Sequence, residues 1–179
     1  MNLPPCCRLH LIEMHAEFVD LLNRNNISYC ITGGSVLGYI RHHGYMIPYD
    51  DDIDYVIDVI HREREFKQKV IPILKILGRD IEEVRWNNLQ THICYSKINK
   101  ICLDVFWYKV MDNGILYVQD TSGLQYNVSM FFPAEKGTFE NVENVSIPRQ
   151  AMAFVQKRYG KNWNVSSKCT KRNDHNCVE

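Results

Sequence analysis

The sequence predicts an α/β (α+β) fold, a small mixed β-sheet flanked by helices, and three observations predict it. Leu11, Met14, Phe18, Leu21 and Leu22 recur at helical spacing across residues 8–24. Short β-prone apolar runs follow, beginning with Tyr29-Cys30-Ile31-Thr32. A turn at Gly33-Gly34 then separates that strand from a short helix, and a strand alternating acids with apolar residues comes next. The 179 residues, 45% hydrophobic and 23% charged, suffice for one domain with a true core. A chain of this size buries about 70% of its unfolded surface. Residues 1–179 read as a single domain, with a core over about 8–163 and a polar, disordered tail over 164–179.

The elements follow in order. Asn25-Asn26 ends the first helix. Ser35 is placed to cap a helix running to about Arg41, and His43-Gly44 breaks it. Pro48 keeps the chain extended into a strand over 52–57. A helical region from about His61 sets Phe66, Val70, Ile73, Leu74 and Leu77 on one face, and Pro72 must kink it or start a second helix. Gly78 stops it. Strands are expected near 81–86, 91–97 and 101–107, with weaker ones at 116–118 and 125–128. Pro148 opens a last helix with Met152, Val155 and Tyr159 on one face and Gly160 as its C-cap.

Charge excludes some functions. Lys+Arg and Asp+Glu number 21 each, so no global field attracts nucleic acid or an anionic membrane. No apolar run approaches the roughly 20 residues that cross a bilayer. Residues 1–5 lack the pattern of a signal peptide. Of the seven cysteines, Cys30, Cys94 and Cys102 lie in apolar runs and read as buried small hydrophobes. Cys6-Cys7, Cys169 and Cys177 lie outside the core. A vicinal pair rarely closes on itself, so Cys6 and Cys7 look elsewhere for a cysteine or for zinc. Four sequons, at Asn26, Asn127, Asn144 and Asn164, exceed the roughly one expected by chance.

The chemistry concentrates in Gly33-Gly34-Ser35-Val36-Leu37-Gly38 and Pro48-Tyr49-Asp50-Asp51-Asp52-Ile53-Asp54. Alternation along a strand points Asp52 and Asp54 the same way, about 6–7 Å apart. Asp50 shares their parity if the strand begins early. Carboxylates so grouped can bracket Mg²⁺, which completes its shell with water and phosphate oxygens. Asp104, alone in Ile101-Cys102-Leu103-Asp104-Val105-Phe106-Trp107, needs a partner. It completes a three-acid site if its strand lies beside that of Asp52 and Asp54; a buried hydrogen bond or salt bridge would also satisfy it. The glycine turn lets backbone N–H groups approach phosphate without a Cβ in the way, and Ser35 adds a hydroxyl. Arg41 either grips phosphate bidentately or complements the helix end.

Rival readings of the acids fare worse. An EF-hand loop starting at Asp50 needs Gly sixth and Glu twelfth, where this chain has Tyr55 and His61. A sugar-nucleotide glycosyltransferase would place a nucleotide-binding region of about a hundred residues before its acidic clamp, and 51 precede Asp52. A solvated acidic loop does not explain the alternation with Ile53, Tyr55 and Ile57.

These residues resemble the LicD family, which includes fukutin and fukutin-related protein. The resemblance is carried by Gly34-Ser35-Val36-Leu37-Gly38, Arg41-His42, Gly44 and Ile47-Pro48-Tyr49-Asp50-Asp51-Asp52-Ile53-Asp54. Asp104-Val105-Phe106, Phe132-Pro133, Ile147-Pro148 and Arg158-Tyr159-Gly160-Lys161-Asn162-Trp163 extend it over about residues 6–163. Tyr49 stands where the family usually has Trp, and Ser35 where Thr is commoner. The resemblance implies a nucleotidyltransferase-like fold and a metal-dependent phosphotransferase. Family members move phosphocholine or ribitol phosphate from a CDP-linked donor to the hydroxyl of a glycan or glycoprotein, releasing CMP. By that likeness Asp52, Asp54 and Asp104 are catalytic and hold Mg²⁺, with Mn²⁺ as the substitute, and Asp50 supports them. Gly33, Gly34, Ser35 and Arg41 would bind the donor. Animal-type members also carry cysteines before the first helix, so a structural Zn²⁺ at Cys6 and Cys7 would need ligands upstream. The sequons and the resemblance together suggest the secretory pathway or Golgi lumen, as part of a longer chain; a cytoplasmic site is the alternative. A catalytically inactive glycan- or partner-binding domain and an AMP transferase are the competing functions.

Overall fold

Helix α1 (Pro5–Arg24) begins with proline in its first turn, where a missing N–H costs nothing. In the computed structural model, which describes residues 3–58, 63–84, 90–118 and 123–164, it covers one face of a seven-stranded mixed sheet. The sheet contains β1 (Tyr29–Ile31), β2 (Asp52–Asp58), β3 (Asp80–Val84), β4 (Gln90–Cys94), β5 (Cys102–Val110), β6 (Ile115–Val118) and β7 (Gln125–Asn127). Its spatial order is β1-β2-β5-β4-β3, with β6 and β7 continuing from the far end of β5. Among the described residues only β2 and β5 run parallel; the other pairs of this sheet are antiparallel.

Alternation divides the sheet into two faces. Tyr55 meets Phe18 of α1 edge-on at 4.9 Å between ring centroids, and Phe66 continues the stack to Trp107 at 5.1 Å. Ile53, Tyr55, Ile57, Leu103, Val105 and Trp107 therefore form the apolar face, all buried. Asp52, Asp54, Cys102 and Asp104 emerge on the opposite face. His15 of α1 is wholly buried and bonds Tyr55 Oη through Nδ1 and the Phe139 carbonyl through Nε2. Burial depresses its pKa to about 4, so the neutral ring ties α1 to the sheet.

Helix α2 (Gly33–Arg41) follows β1, and the left-handed His43 and Gly44 end it, as the sequence predicts. Gly38 is required by packing, because a Cβ there would lie 3.0 Å from the Ile47 backbone nitrogen. Between β2 and β3, a π-type turn (Phe66–Val70) leads into α3 (Ile71–Ile76), with Pro72 in its first turn. The expected helix start at His61 lies outside the described residues. Phe66, Val70 and Leu74 are buried as expected, but Ile73 and Leu77 are exposed. The π-type turn adds a residue to the helical cycle and rotates the following positions off the predicted face.

Several expectations need correction. The strand predicted over 91–97 stops at Cys94, because residues 95–101 turn back: the Ser96 hydroxyl accepts the N–H groups of Ile98 and Asn99. Cys94 and Cys102, expected as separate buried thiols, are buried but joined in a disulfide. They are direct partners across β4 and β5, a pairing that sequence separation alone does not reveal. Cys30 is a free, buried thiol, as expected. The strand end expected at 85–86 and the tail beyond Asn164 lie outside the described residues.

A second sheet was not anticipated. It pairs β8 (Glu135–Phe139) with β9 (Val142–Ile147). Glu140 and Asn141 turn the hairpin with φ of 50° and 62°, where Asn-Gly is the usual signature. Glu140 tolerates this because tertiary bonds hold it: its carboxylate accepts from Arg8 at 2.6 Å and from the Met46 N–H at 2.7 Å. Between the sheets lies a one-turn helix, α4 (Val128–Phe131), capped by the Asn127 side chain. The last helix, α5 (Ala151–Tyr159), ends at Gly160 as predicted. Its buried residues are Phe154 and Val155, whereas Met152 is exposed, so the predicted face is rotated by the uncounted Phe154.

The Cys94–Cys102 bond closes a short loop and should contribute about 2 kcal/mol. Reductant should lower the denaturation midpoint of the wild type and leave a Cys94→Ala/Cys102→Ala double variant unaffected. Equal sensitivity of the two proteins would remove the bond from the account.

Candidate active site

The site is built around Asp54. Gly33 sits at φ +50°, and a Cβ there would stand 2.2 Å from Asp54 Oδ2. Only glycine lets the carboxylate approach this turn. The Gly34 N–H donates to Asp54 Oδ2 at 2.7 Å, and the Asp54 N–H donates to Ser35 Oγ at 2.8 Å. The Thr32 N–H also donates to the Asp54 carbonyl. Ser35, expected to cap α2, instead lies inside its first turn, because the helix begins at Gly33. The residues predicted for phosphate thus have an internal duty: they position an acid.

Parallel pairing of β2 with β5 places Asp54 directly beside Asp104 and Asp52 beside Cys102. Asp52, Asp54 and Asp104 each offer a carboxylate oxygen within 4.8 Å of the others. Two oxygens of one Mg²⁺ shell stand at most about 4.2 Å apart, twice the metal–oxygen bond, so a small closure completes the set. Asp52 Oδ1 is buried with no hydrogen-bond partner among the described residues. A buried anion without a donor is costly, and a cation at this point supplies what the protein withholds. The donor set, all hard oxygen, fits Mg²⁺ or Mn²⁺. Asp50 is buried nearby, at 5% exposure.

The electrostatics agree. Burial, then the charges of Asp54, Asp50 and Asp104, push Asp52 up to about 10. Burial and Asp104 push Asp54 up to about 7, against the pull of Arg158 and of hydrogen bonds from Gly34 and Ser35. Burial and the same neighbours hold Asp50 well above the usual carboxylate range. Without a cation, this cluster stays partly protonated at neutral pH, because like charges crowded in a dry site cannot all ionise.

Two residues were missed by sequence reasoning. His92 lies opposite Asp104 across β4 and β5, its Nδ1 2.8 Å from Asp104 Oδ1. That hydrogen bond raises the imidazole pKa and orients the carboxylate. Nothing in the local sequence marks His92; only strand register does. Arg158 of α5 is the cation that acts on Asp54. Its segment was recognised, but its role depends on α5 packing beside α2. Arg41 donates through Nη2 to the Trp163 carbonyl, fastening α2 to the chain beyond α5. Cys6 is exposed and Cys7 half-buried, both as free thiols.

Comparison with known proteins agrees with this arrangement. The family described as "LicD/FKTN/FKRP, nucleotidyltransferase domain" matches residues 26–150. An uncharacterized protein of Rickettsia prowazekii is 30% identical over 156 residues, covering 84% of this chain and 54% of that protein. Another, from Rickettsia typhi, is 35% identical over 138 residues, covering 75% and 41%. The chain thus spans about half the length of the curated relatives it matches. The human ribitol 5-phosphate transferase FKRP is 42% identical over 59 residues, covering 31% of this chain and 12% of that protein. Among solved structures, the lincosamide antibiotic adenylyltransferase LnuA superposes with a TM-score of 0.55 at 17% identity, covering 98% of each chain. The structure of ANT(2")-Ia in complex with adenylyl-2"-tobramycin gives 0.53 at 16%, covering 88% of this chain and 78% of that one. At such identity the likeness establishes the fold: nucleotidyltransferase-like.

Two outcomes follow from the site. Gly33→Ala should cost about 1–3 kcal/mol of stability and displace Asp54, lowering turnover more than tenfold; wild-type turnover would contradict the role of the turn. Asp52→Asn should stabilise the metal-free protein. The folded carboxyl holds its proton to about pH 10, whereas the unfolded one loses it near 3.9. Wild-type stability therefore falls, relative to the variant, as pH rises across that window. Thermal melts in chelator from pH 5 to 9 should show the gap widening; a constant gap would contradict it.

Proposed function

Because the chain belongs to the LicD/FKTN/FKRP nucleotidyltransferase-domain family, we propose that it is a metal-dependent phosphotransferase. It moves a phospho-alcohol, of the phosphocholine or ribitol-phosphate type, from a CDP-linked donor to a glycan hydroxyl. The observation that carries this reading is the convergence of Asp52, Asp54 and Asp104 beside the glycine turn, with the unpartnered Asp52 oxygen among them. The likeness to a ribitol 5-phosphate transferase supports the reaction class.

Asp52, Asp54 and Asp104 would hold Mg²⁺ or Mn²⁺. Such an ion, when bound, supplies positive charge to the donor diphosphate and to the leaving CMP. The protein's own groups do the rest. Asp104 accepts the proton of the acceptor hydroxyl, and His92 fixes the carboxylate for that transfer. The acceptor oxygen forms a bond to the phosphorus that carries the alcohol. The bond from that phosphorus to CMP breaks, and CMP leaves with its electron pair. Arg158 offsets part of the negative charge at Asp54. Gly33, Gly34 and Ser35 keep Asp54 in place, and in-line positioning supplies much of the acceleration. Net neutrality and the absence of a broad basic field favour a small donor and a glycan over a nucleic-acid substrate.

One observation favours a second reading. The solved structures with this fold include adenylyltransferases, so AMP transfer is the alternative chemistry on the same acids. A catalytically inactive glycan- or partner-binding domain would leave the buried acids without a purpose.

CMP release from CDP-choline and CDP-ribitol, with and without Mg²⁺, tests the proposal. Metal-dependent CMP release is expected from at least one donor. Asp52→Asn and Asp104→Asn should each lower it by about 10² or more while leaving the fold intact by circular dichroism. Release of pyrophosphate from ATP instead would establish the second reading, and no turnover with any donor would favour the binding domain.

A further inference from the structure

Three of the sequons lie apart from the acid cluster and share a common address in the structure. Asn26, Asn127 and Asn144 are all exposed. The fourth sequon, at Asn164, extends beyond the described residues. Each of the three contributes to one groove of about 590 Å³, lined by Asn26, Ser28, Val128 and Ser146 together with Tyr29 and Tyr108. Tyr29 pairs with Ile57 and Tyr108 with Asp58. The groove therefore lies at the far end of β2 and β5, four residues from the paired Asp54 and Asp104. At the rise of a strand that is about 13 Å. Three motifs scattered over the sequence thus gather around one groove, away from the acids.

Asn26 and Asn144 are the best placed. Both have left-handed backbone, φ 52° and 60°. Neither side-chain amide has a hydrogen-bond partner among the described residues. Asn127, in contrast, caps α4 through its side-chain oxygen. A separate observation concerns redox conditions: Cys94 and Cys102 form a disulfide in the buried sheet, and such bonds persist in oxidising compartments and are rare in the cytosol.

We propose that Asn26 and Asn144 carry N-linked glycans and that the domain folds in an oxidising secretory compartment. The modification is made by an oligosaccharyltransferase from an oligosaccharide carried on a lipid diphosphate. The asparagine Nδ2 forms a bond to the anomeric carbon, the carbon–oxygen bond to the diphosphate breaks, the lipid diphosphate takes the electron pair, and the amide gives up a proton. Glycans at these positions shield the groove beside Tyr29 and Tyr108 and leave the acid face open to donor and acceptor.

The test uses the protein isolated from its own cells, with thiols blocked before any reduction. Peptide mass spectrometry should find glycan on Asn26 and Asn144, each converted to aspartate by peptide N-glycosidase, and Cys94 linked to Cys102. Occupancy at both asparagines upholds the proposal; an asparagine found unmodified overturns its assignment, and both unmodified overturns the modification altogether. Free Cys94 and Cys102 thiols overturn the compartment assignment. The readout is mass, so it stands apart from the transferase activity. Asn26→Gln and Asn144→Gln should each remove one glycan and leave CMP release unchanged.

Discussion

The structure depends on one strand pairing. β2 and β5 run parallel, and that register alone sets Asp54 against Asp104. Three buried or half-buried carboxylates on adjacent strands repel one another, and burial raises the pKa of Asp52 and Asp54. The fold tolerates this strain through the apolar face behind it. Phe18, Tyr55, Phe66 and Trp107 form a continuous aromatic stack there. The local conflict is what a cation site requires: a place where protein alone is unsatisfied and an ion completes the structure.

The glycine turn has a different role from the one its composition suggests. Gly33 leaves room for the Asp54 carboxylate, and the Gly34 N–H and the Ser35 hydroxyl hold Asp54 in place. A change in the turn moves the acid, and a change in the acid frees the turn. His92 plays the corresponding part on the other side, against Asp104. The two acid-bearing strands are thus braced from both flanks, by α2 and by β4.

Much of this was legible in the sequence. The spacing of Leu11, Met14 and Phe18 marked α1, and acid–apolar alternation marked β2 with its site face. Residue type and strand parity single out Asp52, Asp54 and Asp104, and the structure brings them together. What escaped notice depends on tertiary contact. The β8–β9 hairpin lacks the usual turn residues because Arg8 and the Met46 amide hold Glu140 in place. His92 and the Cys94–Cys102 bond exist only through strand register. The buried faces of α3 and α5 differ from those the sequence predicts, one because a π-type turn shifts the helical phase and the other because Phe154 packs inward.

Direct measurement of cation binding tests the central claim. Titration with Mn²⁺, followed by electron paramagnetic resonance, should reveal a saturable site in the wild-type protein. Asp54→Asn and Asp104→Asn should each weaken it at least about tenfold, the equivalent of 1.4 kcal/mol. Unaltered Mn²⁺ affinity in both variants would contradict a shared ion between β2 and β5.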